Sequence, residues 1–162
     1  MIEYDQFRSG MRRLAAGVSI ISTQGQEGPL GITATAVTSL TPDPPSLLCC
    51  VNKNLTVGEA IRSNGTFCLN MLREEHRDLA RRFAGMDGAR GTEKFSEGVW
   101  VDLPSGAPAL SDSLVSFDCT LDRVVEAGTH YVLIGIISEI RLGELGNPLI
   151  YCDGNFSSLL PL

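Results

Sequence analysis

The stretch of the chain richest in groups that could do chemistry is residues 31–54, GITATAVTSLTPDPPSLLCCVNKN. Thr33, Thr35, Thr38 and Ser39 load a β-branched run with hydroxyls, and Pro44-Pro45 interrupts it before the apolar run Leu47 to Val51. Small residues on a strand leave room for a flat molecule against the backbone, and hydroxyls beside N–H groups can hydrogen-bond the edge of a heteroaromatic ring. Asn52-Lys53-Asn54 follows, and Thr56 opens a helix. N–H groups, the positive end of a helix dipole and one cation together suit a phosphate. A ring with a phosphate tail matches this order of groups, although a plain hairpin with a Thr-rich wet face matches it too. Lys53 reads either as the phosphate's cation or as a solvated surface lysine. Ser39 either meets the ligand or closes the turn before Pro42.

Few other side chains look catalytic. His130 follows Gly128-Thr129 at the head of an apolar run, whereas His76 lies among charged residues and reads as solvated. Cys49 and Cys50 are neighbours on a strand and so point to opposite faces, which favours packing over redox chemistry. No set of His, Cys, Asp and Glu has metal-ligand spacing, and no G-x-G-x-x-G or Walker sequence is present.

At 162 residues the chain has the length of a single domain, 1–162, with 43% apolar and 20% charged residues. Its net charge of −6 speaks against nucleic acid as a partner and means that an anionic ligand needs a locally positive pocket. Five scattered cysteines without a Cys-x-x-Cys pair point to reduced thiols and a cytoplasmic location. MIEYDQFRSGMRR carries no apolar signal core, and no apolar run approaches the ~18 residues of a membrane span.

The elements that must position these residues follow from periodicity. Phe7, Met11, Leu14 and Ala15 form one face of a helix ending at Gly17, and Val18 to Thr23 is a strand. Leu30 to Leu40 and Ser46 to Asn52 are strands on either side of the double proline. Thr56-Val57-Gly58-Glu59 has the spacing of a capping box, and its helix stops before Gly65. TFCLNML is a strand, and EEHRDLARRFAG a helix with Leu79 and Phe83 on one face. Residues 85–110, rich in Gly, Pro and charge, read as a long and partly mobile excursion. Val115, Phe117, Cys119 and Leu121 alternate with Ser116, Asp118, Thr120 and Asp122, which gives a strand with one wet face. Tyr131 to Ile137 reads as a central strand and Leu149 to Cys152 as a last short one. Six or more short strands with three short helices indicate a small β-barrel rather than a doubly wound sheet.

Taken in order, AAGVSIIST, GITATAVTSLTPDPPSLLCCVNKN, IRSNGTFCLNML, LARRFAG, AGTHYVLIGIISEI and NPLIY resemble the flavin reductase family. These are the short reductase components of two-component monooxygenases. The resemblance runs nearly end to end. It implies a mainly β, FMN-binding split barrel of Greek-key type with a few short peripheral helices, assembled as a homodimer. It also implies reduction of FMN or FAD by NADH or NADPH, with the reduced flavin passed to a partner monooxygenase.

Residue by residue, the resemblance sets Thr33, Ala34, Thr35 and Ala36 along the flavin ring, with Ser39 beyond them. Cys50, Val51, Asn52, Lys53, Asn54 and Thr56 would hold its polar edge and tail, backbone N–H groups around Asn52-Lys53 meeting the charge that develops on reduction. Arg82 and Phe83 would approach the distal part of the flavin. His130 would face the nicotinamide, and Tyr151 and Phe156 would add an aromatic side. Ala36 stands where the family often has Ser, and Phe156 where it often has Tyr. A non-catalytic barrel that stores or senses flavin would use the same fold. An oxidase of the pyridoxamine-phosphate type would want more Arg and Lys than Arg81, Arg82 and Lys53 supply.

Overall fold

The computed structural model describes residues 1–162. Helix α1 (Tyr4–Met11) leads into β1 (Ala16–Gly17), β2 (Ser19–Gly25), β3 (Gly28–Ala34), β4 (Val37–Pro42) and β5 (Pro45–Asn52). Helix α2 (Thr56–Asn64), β6 (Thr66–Met71) and α3 (Arg77–Phe83) come next, then β7 (Trp100–Asp102) and β8 (Pro108–Leu110). The long hairpin β9 (Val115–Ala127) and β10 (His130–Leu142) precedes β11 (Ile150–Cys152) and β12 (Asn155–Ser157).

Seven strands form one antiparallel sheet in the order β3-β2-β6-β9-β10-β5-β4. Its outer strands β3 and β4 are consecutive in the chain, joined only by Thr35 and Ala36. Laid flat, seven strands would hold their outer members about 29 Å apart, whereas the step from Ala34 to Val37 spans at most about 11 Å. The sheet must therefore curl until β3 and β4 meet, and no ladder runs between those two strands. This is the split barrel, its non-sequential strand order the Greek-key connectivity expected. It also corrects one expectation. Residues 30–40 are two strands serving opposite edges, broken where the seam crosses.

Ile21, Leu47, Cys49, Val51, Phe67, Leu69 and Leu133 fill the barrel, and α2 closes it with Val57 and Ile61. A second cluster outside the barrel joins Val18, Ile20, Leu72 and Leu110 to Ala80 and Phe83 of α3. Phe95 and Trp100 pack there too, with ring centroids 4.9 Å and 5.3 Å from Phe83.

Those aromatics correct the reading of residues 85–110 as mobile. The segment folds down as a 3-10 turn (Gly91–Ser96) followed by β7 and β8. The Arg82 guanidinium pins it, pairing with Asp87 at 2.7 Å and donating to the carbonyls of Glu93 and Lys94 and to Ser96 Oγ. Folding over β9, the segment also dries part of the expected wet face. Asp118 is buried and accepts from Ser105 N and Oγ, while Ser116 donates to Asn70 Oδ1.

At the N-terminus α1 is shorter than its periodicity suggests and buries none of its own residues. Thr56 is the first residue of α2 and not its cap; the N-cap is Leu55, whose side chain cannot cap, and the Glu59 carboxylate of the expected capping box accepts instead from Tyr131 Oη at 2.7 Å and Arg62 at 2.8 Å. His76 is not solvated either: Nδ1 accepts from Arg73 N, and Nε2 lies 3.2 Å from Asp112. No helix is long and apolar enough to cross a membrane.

Candidate functional site: a groove along the barrel seam

The two-residue crossing from β3 to β4 leaves a depression beside the end of β5. A cavity of about 210 Å³ lies there, walled by Thr33 to Ala36 on one side and Cys50, Val51 and Asn52 on the other. Leu55 and His130 complete its rim. The wall is low because of its small side chains, and it is held firmly: Cys50 N donates to Ala36 O at 3.0 Å, and Val37 N donates to Thr35 O at 3.0 Å. Alternation along β5 sends Leu47, Cys49 and Val51 into the core and leaves Cys50 half-exposed on the groove side. Burial accordingly pushes the Cys49 thiol up to about 12, leaving it inert.

Ile32 and Leu55 also line a smaller cavity of about 60 Å³, so the groove continues from one to the other. This second compartment ends on Thr56, Val57 and Lys94. At the first turn of α2 Gly58 N donates to Leu55 O at 3.3 Å, while the Thr56 and Val57 N–H groups have no backbone partner and carry the positive dipole end of the helix. Lys94 Nζ donates to Phe83 O at 2.9 Å and reaches Gly31 O at 3.5 Å. Burial holds this ammonium below the usual lysine value. The Asp87 carboxylate opposes that lowering and favours the charged form. A flat slot leading to a helix N-terminus and an ammonium fits a planar ring with an anionic tail.

The structure thus gathers Thr33, Ala34, Thr35, Ala36, Cys50, Val51, Asn52, Thr56 and His130 along one groove. Within that set the Thr33 hydroxyl is already spent, donating to Ala80 O at 2.6 Å and so tying β3 to α3. His130, exposed at the head of β10, has Nδ1 2.9 Å from Thr129 Oγ1, which orients the ring and leaves Nε2 free.

Other expected positions stand elsewhere. Lys53 turns to the outer surface, 2.8 Å from Glu126 and 5.5 Å over the Tyr131 ring. The N–H groups around it are used as well: Lys53 N donates to Thr129 O, and Asn54 N to Asn52 Oδ1. In this arrangement both N–H groups are occupied and the ammonium is paired away from the groove. Ser39 is exposed on edge strand β4, and the turn bond before Pro44 is made by Thr41 Oγ1 with Asp43 N. Arg82 is the clamp already described. Phe83 is fully buried, and Gly31 is required beside it, because a Cβ there would come within 2.8 Å of the Phe83 ring. Phe156 packs on Tyr151 at 5.4 Å, and Tyr151 lines a neighbouring apolar recess of about 380 Å³ under α1. That recess shares Thr35 and Ala36 with the groove.

Sequence reasoning missed Ile32, Leu55 and above all Lys94. A signal was present: Phe95 and Trp100 are large apolar residues in an otherwise Gly- and charge-rich run, and such anchors bring their neighbours down onto a surface.

A family model described as "Flavin reductase like domain" matches residues 11–160. The chain is 38% identical over 154 residues to FMN reductase (NADH) RutF 2 of Rhizobium rhizogenes, covering 95% of this chain and 88% of that one. It is 41% identical over 155 residues to the 4-hydroxyphenylacetate 3-monooxygenase reductase component of Escherichia coli, covering 96% and 91%. Among solved structures, a homologue of nitrilotriacetate monooxygenase component B from Mycobacterium thermoresistibile superimposes with a TM-score of 0.89 at 30% identity, covering 97% and 87%.

Proposed function

Because the chain belongs to the flavin reductase-like domain family, we propose that the seam groove is where it holds flavin while NADH reduces it. The activity is that of an NADH:flavin oxidoreductase acting on FMN or FAD and supplying reduced flavin to a monooxygenase component. When bound, the flavin supplies the redox chemistry, accepting a hydride at N5 from the nicotinamide. The chain's own residues bind and orient. The low wall at Thr35, Ala36, Cys50 and Asn52 would receive the ring. The α2 N-terminus and Lys94 receive the phosphate, in the place first assigned to Lys53. His130, oriented by Thr129, borders the ring slot and holds the nicotinamide end of NADH in register. Hydride transfer needs no nucleophile and no strong general acid.

The observation that carries this reading is the convergence of the slot on Lys94 and the first turn of α2. Lys94→Gln should weaken FMN binding by roughly 1–2 kcal/mol, about 5- to 30-fold, with the difference shrinking at high salt. Riboflavin, which lacks the phosphate, should bind both proteins equally. Lys53→Ala should leave FMN affinity unchanged at any salt concentration. Fluorescence titrations check all three, and an equal loss of FMN and riboflavin affinity in Lys94→Gln would move the phosphate elsewhere.

The chain acts as a homodimer in this reading. Tyr4, Phe7 and Met11 of α1 and Leu14 just past its end stand 72%, 51%, 48% and 61% exposed, an apolar face that a second copy would cover. Light scattering at micromolar concentration should give twice the chain mass. Five free thiols agree with a reducing, cytoplasmic setting.

A further inference from the structure

The groove does not stop at the phosphate end. Leu30 and Thr56, which line the 60 Å³ compartment, also line a third cavity of about 550 Å³ between the β2–β3 hairpin and the outer face of α2. Thr56, Ala60 and Ser63 fall at i, i+4 and i+7, so one stripe of the helix forms a wall running away from its N-terminus. Gln24 and Gln26 at the tip of the hairpin face that stripe across the gap. The three compartments therefore follow one line: a ring slot, a narrow cationic waist, then a wide polar recess.

The recess is firm and chemically particular. Asn64 fixes the hairpin to the helix, its Nδ2 donating to Thr23 Oγ1 at 2.8 Å and to Gln24 O at 2.5 Å, while its Oδ1 accepts from Thr66 N at 2.8 Å. Side-chain amides and a hydroxyl at Gln24, Gln26 and Ser63 offer donors and acceptors together, and Leu30 offers an apolar surface. The one carboxylate on the lining, Glu59, is held by Tyr131 Oη and Arg62, and so is compensated. This lining suits an uncharged, hydrogen-bonding aromatic base and its sugar better than a second anion, and the volume lies in the range of small-molecule pockets.

We propose that this recess takes the adenosine arm of FAD, which makes the dinucleotide rather than FMN the preferred flavin of this chain. The inference rests on the placement of ring and phosphate given above, because only a tail ending at Thr56 and Lys94 points its continuation into the recess. FMN fills the first two compartments and leaves the third to water; FAD fills all three.

The test is a pair of binding titrations on the purified protein, with FMN and FAD as probes and flavin fluorescence as the readout. The native chain should bind FAD at least ~10-fold more tightly than FMN, the size expected for one further compartment worth about 1.4 kcal/mol. Ala60→Trp fills the recess from the helix side and should erase that advantage while FMN affinity stays within about 2-fold. Ser63→Trp, on the exposed end of the same stripe, should act in the same direction and guards against a folding defect in the first variant. AMP should compete with FAD but not with FMN. Equal affinity of the native chain for both flavins, or a FAD advantage that survives both tryptophans, would overturn the proposal. Failure of FMN itself to bind the native chain would instead overturn the flavin site and the adenosine site with it.

Discussion

Cys50→Trp is expected to cost this protein its flavin while leaving its fold in place. Cys50 stands on the groove side of β5, with Cys49 and Val51 on either side of it turned into the core. Its structural bond is made by the backbone, Cys50 N to Ala36 O, and a new side chain does not disturb it. An indole there occupies the slot and denies the ring roughly 120 Å² of contact, about 3 kcal/mol at ~25 cal/mol per Å². Flavin affinity should fall on the order of 100-fold. Because the change lies outside the core, stability should move by only about 0.5 kcal/mol, a degree or two in melting temperature for a chain of this size. Fluorescence titration beside a thermal melt checks both halves. Normal flavin affinity in a folded Cys50→Trp protein would place the ring somewhere other than the seam.

His130→Ala should separate the two substrates. His130 lines the ring slot from the head of β10, opposite Asn52 in the ladder, and is exposed, so little packing is lost with it. The walls at residues 33–36 and 50–52 stay intact, and flavin affinity should hold. In the proposed reading, what is lost is the group that holds the nicotinamide in register. Misorientation at a hydride-transfer site should lower turnover on the order of 10- to 100-fold, because positioning supplies much of the barrier reduction. His130→Asn keeps a hydrogen-bonding edge at a similar reach and should recover part of the rate. Steady-state NADH oxidation is the readout. A destabilised His130→Ala protein with normal turnover would show that the imidazole serves only the Thr129–His130 turn.

The fold was legible in the sequence wherever periodicity reflects burial. Leu47, Cys49 and Val51 of one apolar run and Tyr131 and Leu133 of the other sit in the barrel core, and Gly65, in the left-handed region at φ 75°, stops α2 as expected. The strand break at Thr35-Ala36 was not legible, because it is imposed by closing a seven-stranded sheet and not by any local turn residue. The two lysines show the same limit on the site. Lys53 has the better sequence context, beside two asparagines and just before a helix, yet the β-turn geometry after β5 points it outward to Glu126. Lys94 lies in a run that reads as loose loop, and it reaches the groove only because Phe95 and Trp100 dock on Phe83 and Arg82 clamps the turn. The family resemblance set Phe83 toward the distal part of the flavin, while its place on an apolar helix face fitted a core residue equally well. Its ring is instead the anchor for the segment that delivers Lys94.

The most direct measurement is anaerobic mixing of the protein with one equivalent of FAD or FMN and one of NADH, following the nicotinamide and flavin absorbance bands together. Both bands should fall in step, one NADH consumed per flavin reduced, and the Cys50→Trp protein should slow the reaction toward the rate without protein. Flavin that binds, as judged by its fluorescence, while neither band changes would overturn the reductase reading and leave a barrel that holds flavin without reducing it.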